Sequence, residues 1–395
     1  MGDDRITYIG RINHRNAGTL FGIRQRDRRS HFYAIGKTGV GKSHLLRLML
    51  EQDIRAGQGC CLFDPHGDLV QAVCKAIPSE HAADVVYVDA SDPAVSWRFN
   101  PFLSVPPDRR ALGAAQIIDV FKKLWPDEWG PRLEHLLRNV VLTLLEVPRS
   151  SLADIPGLLA DRDIRAGFLD SLTDPVVRDF WKHEYERYSF GFRSVVIAPL
   201  QNKIGALLTD PLLRRILTES GPQLDLRGIM DSGKILLINL DKGRIGEGPS
   251  TLLGSLLLSH IALAGLSRSE QPESERRDFF VYLDEFQTFT TLALATMMSE
   301  LRKYRVGLVL SHQHLAQLDT AIRDAVYGNV GTIVSFRIGA QDASFLAREF
   351  APRFDSTDLT SLPRFAAYVR LMIDGATSPP FSMTTPETIP PVAAT

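Results

Sequence analysis

Short apolar runs alternate with longer amphipathic segments along most of the chain. Seven runs rich in β-branched or aromatic residues are typical of strands covered on both faces. They are HFYAIG at 31–36, CCLFD at 60–64, DVVYVDA at 84–90, KILLINL at 234–240, DFFVYL at 278–283, VGLVLSHQ at 306–313 and VGTIVSFRIG at 330–339. Because segments of helical period separate many of these runs, the pattern predicts an α/β fold with a mostly parallel central sheet.

A second pattern interrupts this alternation between about residues 109 and 218, where nearly every segment has helical periodicity. In RLEHLLRNVVLTLLEV, for example, Leu133, Leu137, Val140 and Leu144 form one apolar stripe. We therefore predict an all-α domain inserted into the core. The predicted division is an N-terminal strand and basic segment at 1–30, the core at 31–104, the all-α insertion at 105–226, the rest of the core with a terminal hairpin at 227–383, and a disordered tail at 384–395.

Composition narrows the class of protein without selecting a function. The 395 residues are 44% hydrophobic and 23% charged, which is ordinary for a globular protein. The formal net charge of -1 gives no overall basic field, so contact with nucleic acid would need local basic patches. The three cysteines fit no zinc spacing, and we expect them to be reduced core residues.

The most apolar segment is TLLGSLLLSHIALAGL at 251–266, which contains His260. It is shorter than the roughly 20 apolar residues that span a bilayer, so it predicts a buried helix. The sequence thus predicts no membrane span in this chain. We expect a cytoplasmic protein, with a peripheral position at the inner membrane through partner proteins as the alternative.

Residues 33–43, YAIGKTGVGKS, match the Walker A pattern G-x-x-x-x-G-K-[ST] between a predicted strand and a predicted helix. The glycines let backbone N–H groups face an anion, and the helix N-terminus adds partial positive charge. The lysine would reach the β and γ phosphates, and the serine would bind Mg²⁺. The predicted ligands are ATP and Mg²⁺, and the predicted binding residues are Gly36, Thr38, Gly39, Val40, Gly41, Lys42 and Ser43.

Two adjacent carboxylates, Asp284 and Glu285, end the strand DFFVYL. Taken alone, this ending is also explained by an aspartate that caps the next helix. With a Walker A loop in the chain, we predict that Asp284 contacts the magnesium ion as the Walker B residue and that Glu285 is the general base. About 240 residues separate the two motifs, which the predicted insertion explains.

The strand VGLVLSHQ ends in Gln313, which could sense the γ-phosphate if this strand lies beside the Walker B strand. The alternative is that Gln313 caps the following helix. The turn FDPHGD places Asp64 and His66 at another strand end, where a structural turn explains them equally well. Asp68, with Gln71 three residues later, predicts a capping box at the next helix.

These motifs and their order resemble type IV secretion coupling ATPases and their relatives in the HerA/FtsK class of DNA pumps. The resemblance covers about residues 20–383 and rests on YAIGKTGVGKS, FDPHGD, WGPRLEHLLRN, LQNKIGALLTDPLLRRIL, LDEFQTF and LVLSHQHLAQL. It implies a RecA-like P-loop core in a ring, usually a hexamer, with nucleotide between subunits and DNA in the central channel. Coupling proteins usually begin with transmembrane helices and HerA proteins with a small β-barrel, and we expect neither before Gly36.

The resemblance also implies an arginine supplied to the γ-phosphate by a neighbouring subunit. It places this residue at Arg302, with Arg305 as the near alternative; Arg302 could instead be a solvated helix residue. The resemblance implies a second arginine at Arg28 or Arg29, and we predict that Arg29 is catalytic. In plain sequence terms, both belong to a basic run that is typical of a solvated face.

We therefore expect an ATP-hydrolysing ring motor that binds and translocates DNA. Two alternatives stay open. One is a secretion or pilus assembly ATPase whose cargo is protein. The other is an ATPase partner of a nuclease in DNA repair or phage defence. Secretion-channel or nuclease proteins are the partners that these alternatives imply.

Overall fold

The computed structural model describes residues 4–14, 16–92, 94, 97–103 and 105–389. The strands are β1 (Ile6–Ile12), β2 (Leu20–Arg24), β3 (Phe32–Ile35), β4 (Cys60–Asp64), β5 (Val85–Asp89), β6 (Ile235–Asn239), β7 (Phe279–Leu283), β8 (Val306–His312), β9 (Thr332–Ser335), β10 (Ala366–Arg370), β11 (Met372–Ile373), β12 (Ala376–Thr377) and β13 (Phe381–Thr384). The helices are α1 (Gln25–Arg28), α2 (Lys42–Arg55), α3 (Asp68–Cys74), α4 (Arg110–Leu124), α5 (Pro131–Glu146), α6 (Ile155–Ala160), α7 (Arg162–Ser171), α8 (Pro175–Asp179), α9 (Phe190–Thr209), α10 (Pro211–Thr218), α11 (Leu226–Ser232), α12 (Lys242–Ile245), α13 (Glu247–Ser267), α14 (Leu292–Leu301), α15 (Thr320–Asn329), α16 (Ala340–Phe350) and α17 (Ser356–Thr360).

A single large sheet organises the α/β part of the described chain, in the order β2-β1-β13-β10-β9-β3-β8-β7-β4-β6-β5. The seven strands from β9 to β5 are parallel. The remaining pairings are antiparallel, including the predicted hairpin of β10 with β13. The prediction of an α/β fold with a mostly parallel sheet is confirmed. No sequence pattern predicts the pairing of β1 with β13.

The centre of the sheet explains why its strands are so apolar. Every residue of β3, β4, β7 and β8 is buried, as expected for parallel strands covered on both faces. Strand β8 lies between β3 and β7. The Walker A strand, the strand that ends near Gln313 and the Walker B strand are therefore neighbours, and their carboxyl ends share one edge of the sheet.

The chain divides into two compact units. The first consists of Met1–Asp89, Arg227–Gly243 and Ala264–Thr395, and it contains the large sheet. The second consists of Ala90–Leu226 and Arg244–Leu263. The second unit is helical, with α4 to α10 and most of α13, so the predicted all-α insertion at 105–226 lies within it.

The apolar segment at 251–266 belongs to α13. A helical stretch of the described chain, Glu247–Glu270, is long and apolar enough to cross a membrane by length and composition, and 89% of its most apolar window is buried. His260 is buried in this helix, and its Nε2 lies 2.8 Å from the carbonyl oxygen of Pro101. These contacts agree with the predicted buried helix.

The prediction of disorder from residue 384 onward is wrong for its first residues. Thr384 pairs with Ala366 in the sheet, and the N–H of Thr385 donates to the carbonyl of Phe365 at 2.8 Å. The side chain of Ile389 is buried. Backbone pairing and burial fix this segment, although its Pro- and Thr-rich composition indicated disorder. Residues 390–395 lie outside the described part of the chain.

Candidate active site

The Walker A loop connects the end of β3 to the first turn of α2. Gly39 and Gly41 have φ values of +74° and +123°, which other residues adopt only with strain. Gly36 is required for a different reason, because an added Cβ would lie 2.7 Å from the Cβ of Phe336. Backbone conformation and close packing thus explain the three glycines and leave the loop shaped as the predicted phosphate cradle.

Lys42 is buried at the start of α2, and its ammonium donates to the carbonyls of Gly36 at 2.6 Å and Lys37 at 3.1 Å. Burial lowers the pKa of Lys42, while the charges of Glu285 and Asp284 oppose that effect. The lysine side chain therefore folds back over its own loop, in an environment whose nearby acids favour its charged form.

Asp284 lies at the end of β7 and receives three hydrogen bonds. Ser43 Oγ donates to Oδ2 at 3.0 Å, Ser311 Oγ donates to Oδ1 at 3.1 Å, and the N–H of Glu285 donates to Oδ1 at 3.2 Å. Burial and the neighbouring Glu285 raise the pKa of Asp284, and the two serine hydroxyls oppose the rise. The structure thus brings both predicted magnesium ligands into contact. Ser311, a polar residue near the end of β8, is a contact that the motifs do not predict.

Glu285 adopts a left-handed backbone conformation, with φ of 48° and ψ of 54°. This conformation costs a non-glycine residue about 1 kcal/mol or more, and such strain is concentrated at functional sites. The carboxylate is buried and accepts hydrogen bonds from Gln313 Nε2 at 2.9 Å and Gln287 Nε2 at 2.8 Å. Two amides therefore hold the predicted general base in place.

Gln313 connects this base to the Walker A loop. Its Nε2 donates to Glu285 and its Oε1 accepts from Thr38 Oγ1 at 2.8 Å. This position follows from the sheet order, since Gln313 comes directly after β8. Gln313 does not cap a helix: the next helical turn begins at Leu315 with His314 as its N-cap. The predicted position beside the Walker B strand is confirmed.

Arg29 and Arg302 lie away from these groups. Arg29 precedes β3 and Arg302 precedes β8, so both are at the amino edge of the parallel strands, opposite the Walker A loop. Arg29 is held there by Asp278, which accepts from Nε at 2.6 Å and from Nη2 at 2.9 Å. Strand direction therefore keeps Arg29 away from the site of its own chain, and its assignment to the catalytic residues stays a prediction.

Arg302 is exposed, and among the described residues the nearby Glu300 pairs with Lys303 instead. Arg302 cannot serve the site of its own chain for the same reason as Arg29. The expectation that it serves a neighbouring copy is a separate matter and remains a prediction.

A buried ion pair connects the Walker A helix to the Walker B strand. Arg28 donates to both carboxylate oxygens of Asp53 on α2 at 2.7 Å and to the hydroxyl of Tyr282 on β7 at 2.8 Å. The guanidinium also lies 3.7 Å from the centre of the Phe280 ring. Burial alone would raise the pKa of Asp53, but Arg28 holds that pKa below its usual value. Arg28 is thus a core residue and not part of a solvated face.

The turn FDPHGD is structural in this chain. Asp64 accepts hydrogen bonds from the N–H groups of His66 and Val70, both at 2.9 Å. The predicted capping box of Asp68 and Gln71 is wrong, because α3 has Gly67 as its N-cap, with no side-chain cap, and Asp68 lies inside the first turn. Asp64 instead accepts a hydrogen bond from the N–H of Val70, in the first turn of α3.

A cavity of about 600 Å³ lies beside the Walker A loop and Gln313. Its lining includes Lys37, Thr38, Gln313, His314 and Asp342. The open space therefore adjoins both the loop and the residue that contacts the predicted base.

The sheet order and the placement of these groups define a RecA-like P-loop ATPase fold. The sequence profile of the central domain of helicase HerA matches residues 8–151. The structure is similar to the bacterial conjugative coupling protein TrwB lacking its first 70 residues, with a TM-score of 0.68 and 16% identity over 93% of this chain and 88% of that one. TrwB in complex with ADP and Mg²⁺ gives a TM-score of 0.65 and 16% identity over 93% and 87% of the two chains.

VirB4 of Thermoanaerobacter pseudethanolicus is also similar, with a TM-score of 0.61 and 14% identity over 99% of this chain and 98% of that one. No protein of curated function matches the chain in sequence. At such identities the structural matches establish the fold. Together with the profile match, they confirm the predicted resemblance to the type IV secretion and HerA/FtsK class of ATPases.

Proposed function

We propose that this protein hydrolyses ATP with Mg²⁺ and uses the reaction to move DNA through a ring of identical subunits. The observation that carries the ATPase part is the convergence of Ser43, Asp284, Glu285 and Gln313 at the mouth of a Walker A loop. TrwB, which shares the fold, has been solved with ADP and Mg²⁺.

The residues of the site have different roles in hydrolysis. The loop N–H groups and Lys42 bind the phosphates and offset the charge that develops on the γ-phosphoryl group. Glu285 accepts a proton from the attacking water, and Gln313 orients both this carboxylate and the water. The hydroxyls of Ser43 and Ser311 donate to Asp284 and offset part of the cost of burying its carboxylate.

The donors present fit a magnesium ion. Mg²⁺ is usually bound in proteins by one or two side-chain oxygens together with substrate phosphates and water, so a cage of three acids is not required. Such a cage of His, Cys, Asp or Glu is absent from the described residues, whereas Ser43 and Asp284 offer a hydroxyl and a carboxylate oxygen 3.0 Å apart. When bound there, the ion would neutralise phosphate charge and orient the triphosphate.

The proposals of a ring and of DNA as its substrate rest on the resemblance to coupling proteins. The position of Arg302 supports the ring. A head-to-tail ring would bring the amino edge of one sheet, with Arg302, towards the nucleotide of the next subunit. An arginine supplied in this way raises phosphoryl-transfer rates by about 10³–10⁵. We also propose a cytoplasmic location, with attachment at the inner membrane through partners as the alternative.

Two measurements test the proposal. We expect ATP hydrolysis to be stimulated by single- or double-stranded DNA, and DNA binding to weaken as salt is raised. If hydrolysis is unchanged by either DNA and neither binds at low salt, the protein does not act on DNA. A protein cargo or a nuclease partner would then be tested in its place.

The ring requires a different experiment, in which Arg302→Ala subunits are mixed with Glu285→Gln subunits. We expect mixed rings to regain part of the activity that each variant lacks, since some interfaces then carry both functional groups. Absence of rescue, with assembly intact by light scattering, contradicts a role for Arg302 across the interface. Lys303→Ala is the matched control, because its side chain pairs with Glu300 in its own chain.

A further inference from the structure

The side chains of Phe365 and Arg364 lie against the Walker A loop. The N–H of Phe365 donates to the carbonyl of Val40 at 2.8 Å, and Arg364 Nε donates to the carbonyl of Gly39 at 3.0 Å. The ring of Phe365 packs so closely that a Cβ on Gly41 would lie 2.9 Å from its Cδ1. This contact helps to explain why position 41 is glycine.

Phe365 is held in an unusual conformation. Its φ is +63°, a left-handed value that is rare for a bulky side chain. Its carbonyl accepts from the N–H of Thr385, and His44, whose ring centre lies 5.6 Å from that of Phe365, bonds to the carbonyl of Pro386 at 2.8 Å. The two backbone hydrogen bonds on either side of Phe365 thus fix the strained residue, and such fixed strain is a feature of ligand-binding sites.

The direction of a bound triphosphate follows from the sheet. Its γ end must face Asp284 and Glu285, which end β7 on one side of the Walker A strand. The rest of the nucleotide must then leave the loop away from those acids, over the first turn of α2 and towards β9 and β10. His44 directly follows Ser43 on that turn, and Phe365 immediately precedes β10.

We propose that Phe365, flanked by His44 and Arg364, forms the subsite for the base of the bound nucleotide. This inference rests on the proposed nucleotide hydrolysis. Phe365 is only half-buried, so part of its ring is open to a stacking partner. The Arg364 guanidinium lies 5.3 Å from the centre of the same ring and is exposed, so it can contact a base or the α-phosphate.

The chemistry of this subsite predicts which nucleotides it accepts. Aromatic stacking tolerates any base, because every base has a π-face. His44 Nε2 and the carbonyls of Gly39, Val40 and Pro386 already have partners within the protein. We therefore expect the subsite to recognise an aromatic base without discriminating strongly between adenine and guanine.

Tripolyphosphate separates this inference from the proposed function, because it has the phosphates of ATP and no base. Titration calorimetry with Mg²⁺ would compare ATP, GTP and tripolyphosphate on the full chain. We expect ATP and GTP to bind with similar affinity. In Phe365→Ala both should weaken by about tenfold, as for the loss of a base stack, while tripolyphosphate binding is retained.

Phe365→Tyr should keep nucleotide affinity, and Phe365→Leu should weaken it as much as Phe365→Ala does, because leucine keeps apolar bulk without a ring. The matched control is Phe354→Ala, which removes another half-buried ring, one that stacks on Tyr368. The subsite is refuted if Phe365→Ala weakens all three ligands equally, if Phe365→Leu binds ATP normally, or if wild-type protein binds tripolyphosphate as tightly as ATP. Failure of wild-type protein to bind any of the three refutes the proposed nucleotide hydrolysis instead.

Discussion

The hydroxyl of Ser43 lies 3.0 Å from a carboxylate oxygen of Asp284, although 241 positions of sequence separate the two residues. The contact exists because β3 and β7 lie on either side of β8 and end at the same edge of the sheet. Ser43, the second residue of α2, thereby contacts Asp284, the Walker B acid. The same edge brings Gln313 to Glu285, so metal binding and water activation share one small region.

Glu285→Gln should preserve ATP binding and lower the hydrolysis rate by about 10²–10⁴, the usual contribution of a general base. The amide keeps the size of the side chain and can still accept from Gln313 or Gln287, but it cannot take a proton from water. Binding by calorimetry and turnover by phosphate release would be measured on the same sample. Glu300→Gln, an exposed carboxylate paired with Lys303, is the control. Near-normal turnover in Glu285→Gln would place the base elsewhere.

Asp284→Asn should separate stability from function. Burial and Glu285 raise the pKa of Asp284, so its ionised form costs stability at pH 7, and a neutral amide of the same shape removes that cost. We expect an unchanged or higher melting temperature without ligand, together with loss of the effect of Mg²⁺ on ATP binding. Ser43→Ala should show the same loss of Mg²⁺ dependence. A variant that melts lower and still responds to Mg²⁺ would contradict both assignments.

Arg28→Met should lower the free energy of unfolding by about 3–5 kcal/mol, because it leaves the buried carboxylate of Asp53 without its main partner. The double variant Arg28→Met with Asp53→Leu should recover part of this loss, since neither charge then remains buried alone. Arg5→Ala is the control, because Arg5 also contacts Asp53 but its side chain is 26% exposed. Urea unfolding would measure all of these. Equal losses in the single and double variants would contradict a buried pair.

The sequence predicts much of the fold because each strand is marked by its own short run of apolar residues. Each of the seven apolar runs forms a parallel strand. The Walker A loop and the carboxylates of Asp284 and Glu285 lie at the same edge of the sheet, as predicted. The errors arise where long-range packing decides. The basic run that contains Arg28 and Arg29 indicates a solvated face, but Asp53 and Asp278 lie far away in sequence and bind these arginines at the amino edge. Likewise, the composition of the tail does not show that Thr384 will pair with Ala366.

His31 should make the protein less stable in mild acid. Its Nε2 donates to the carbonyl of Met298 at 2.8 Å, and its Nδ1 accepts from the N–H of Leu308 at 3.0 Å, so the fold requires the neutral ring. Burial lowers the pKa of His31 to about 4, and the charge of Arg302 adds to this effect, while the Met298 carbonyl opposes it. The folded state therefore resists a proton that the unfolded state accepts near its ordinary pKa of about 6.5.

The stability that neutral His31 contributes is complete above about pH 6.5 and is lost as the pH falls towards 4. Between pH 7.5 and 5.5 we expect a loss of about 1–2 kcal/mol from this residue, to which His312, with a pKa lowered by burial to about 3, adds a similar amount. His31→Asn keeps a donor and an acceptor and tolerates the backbone φ of +64°, so it should remove the part of the pH dependence that His31 contributes, as measured by urea unfolding. His183→Asn, at an exposed position, should leave it unchanged. Identical slopes in wild-type protein and His31→Asn would show that His31 is not the group that titrates.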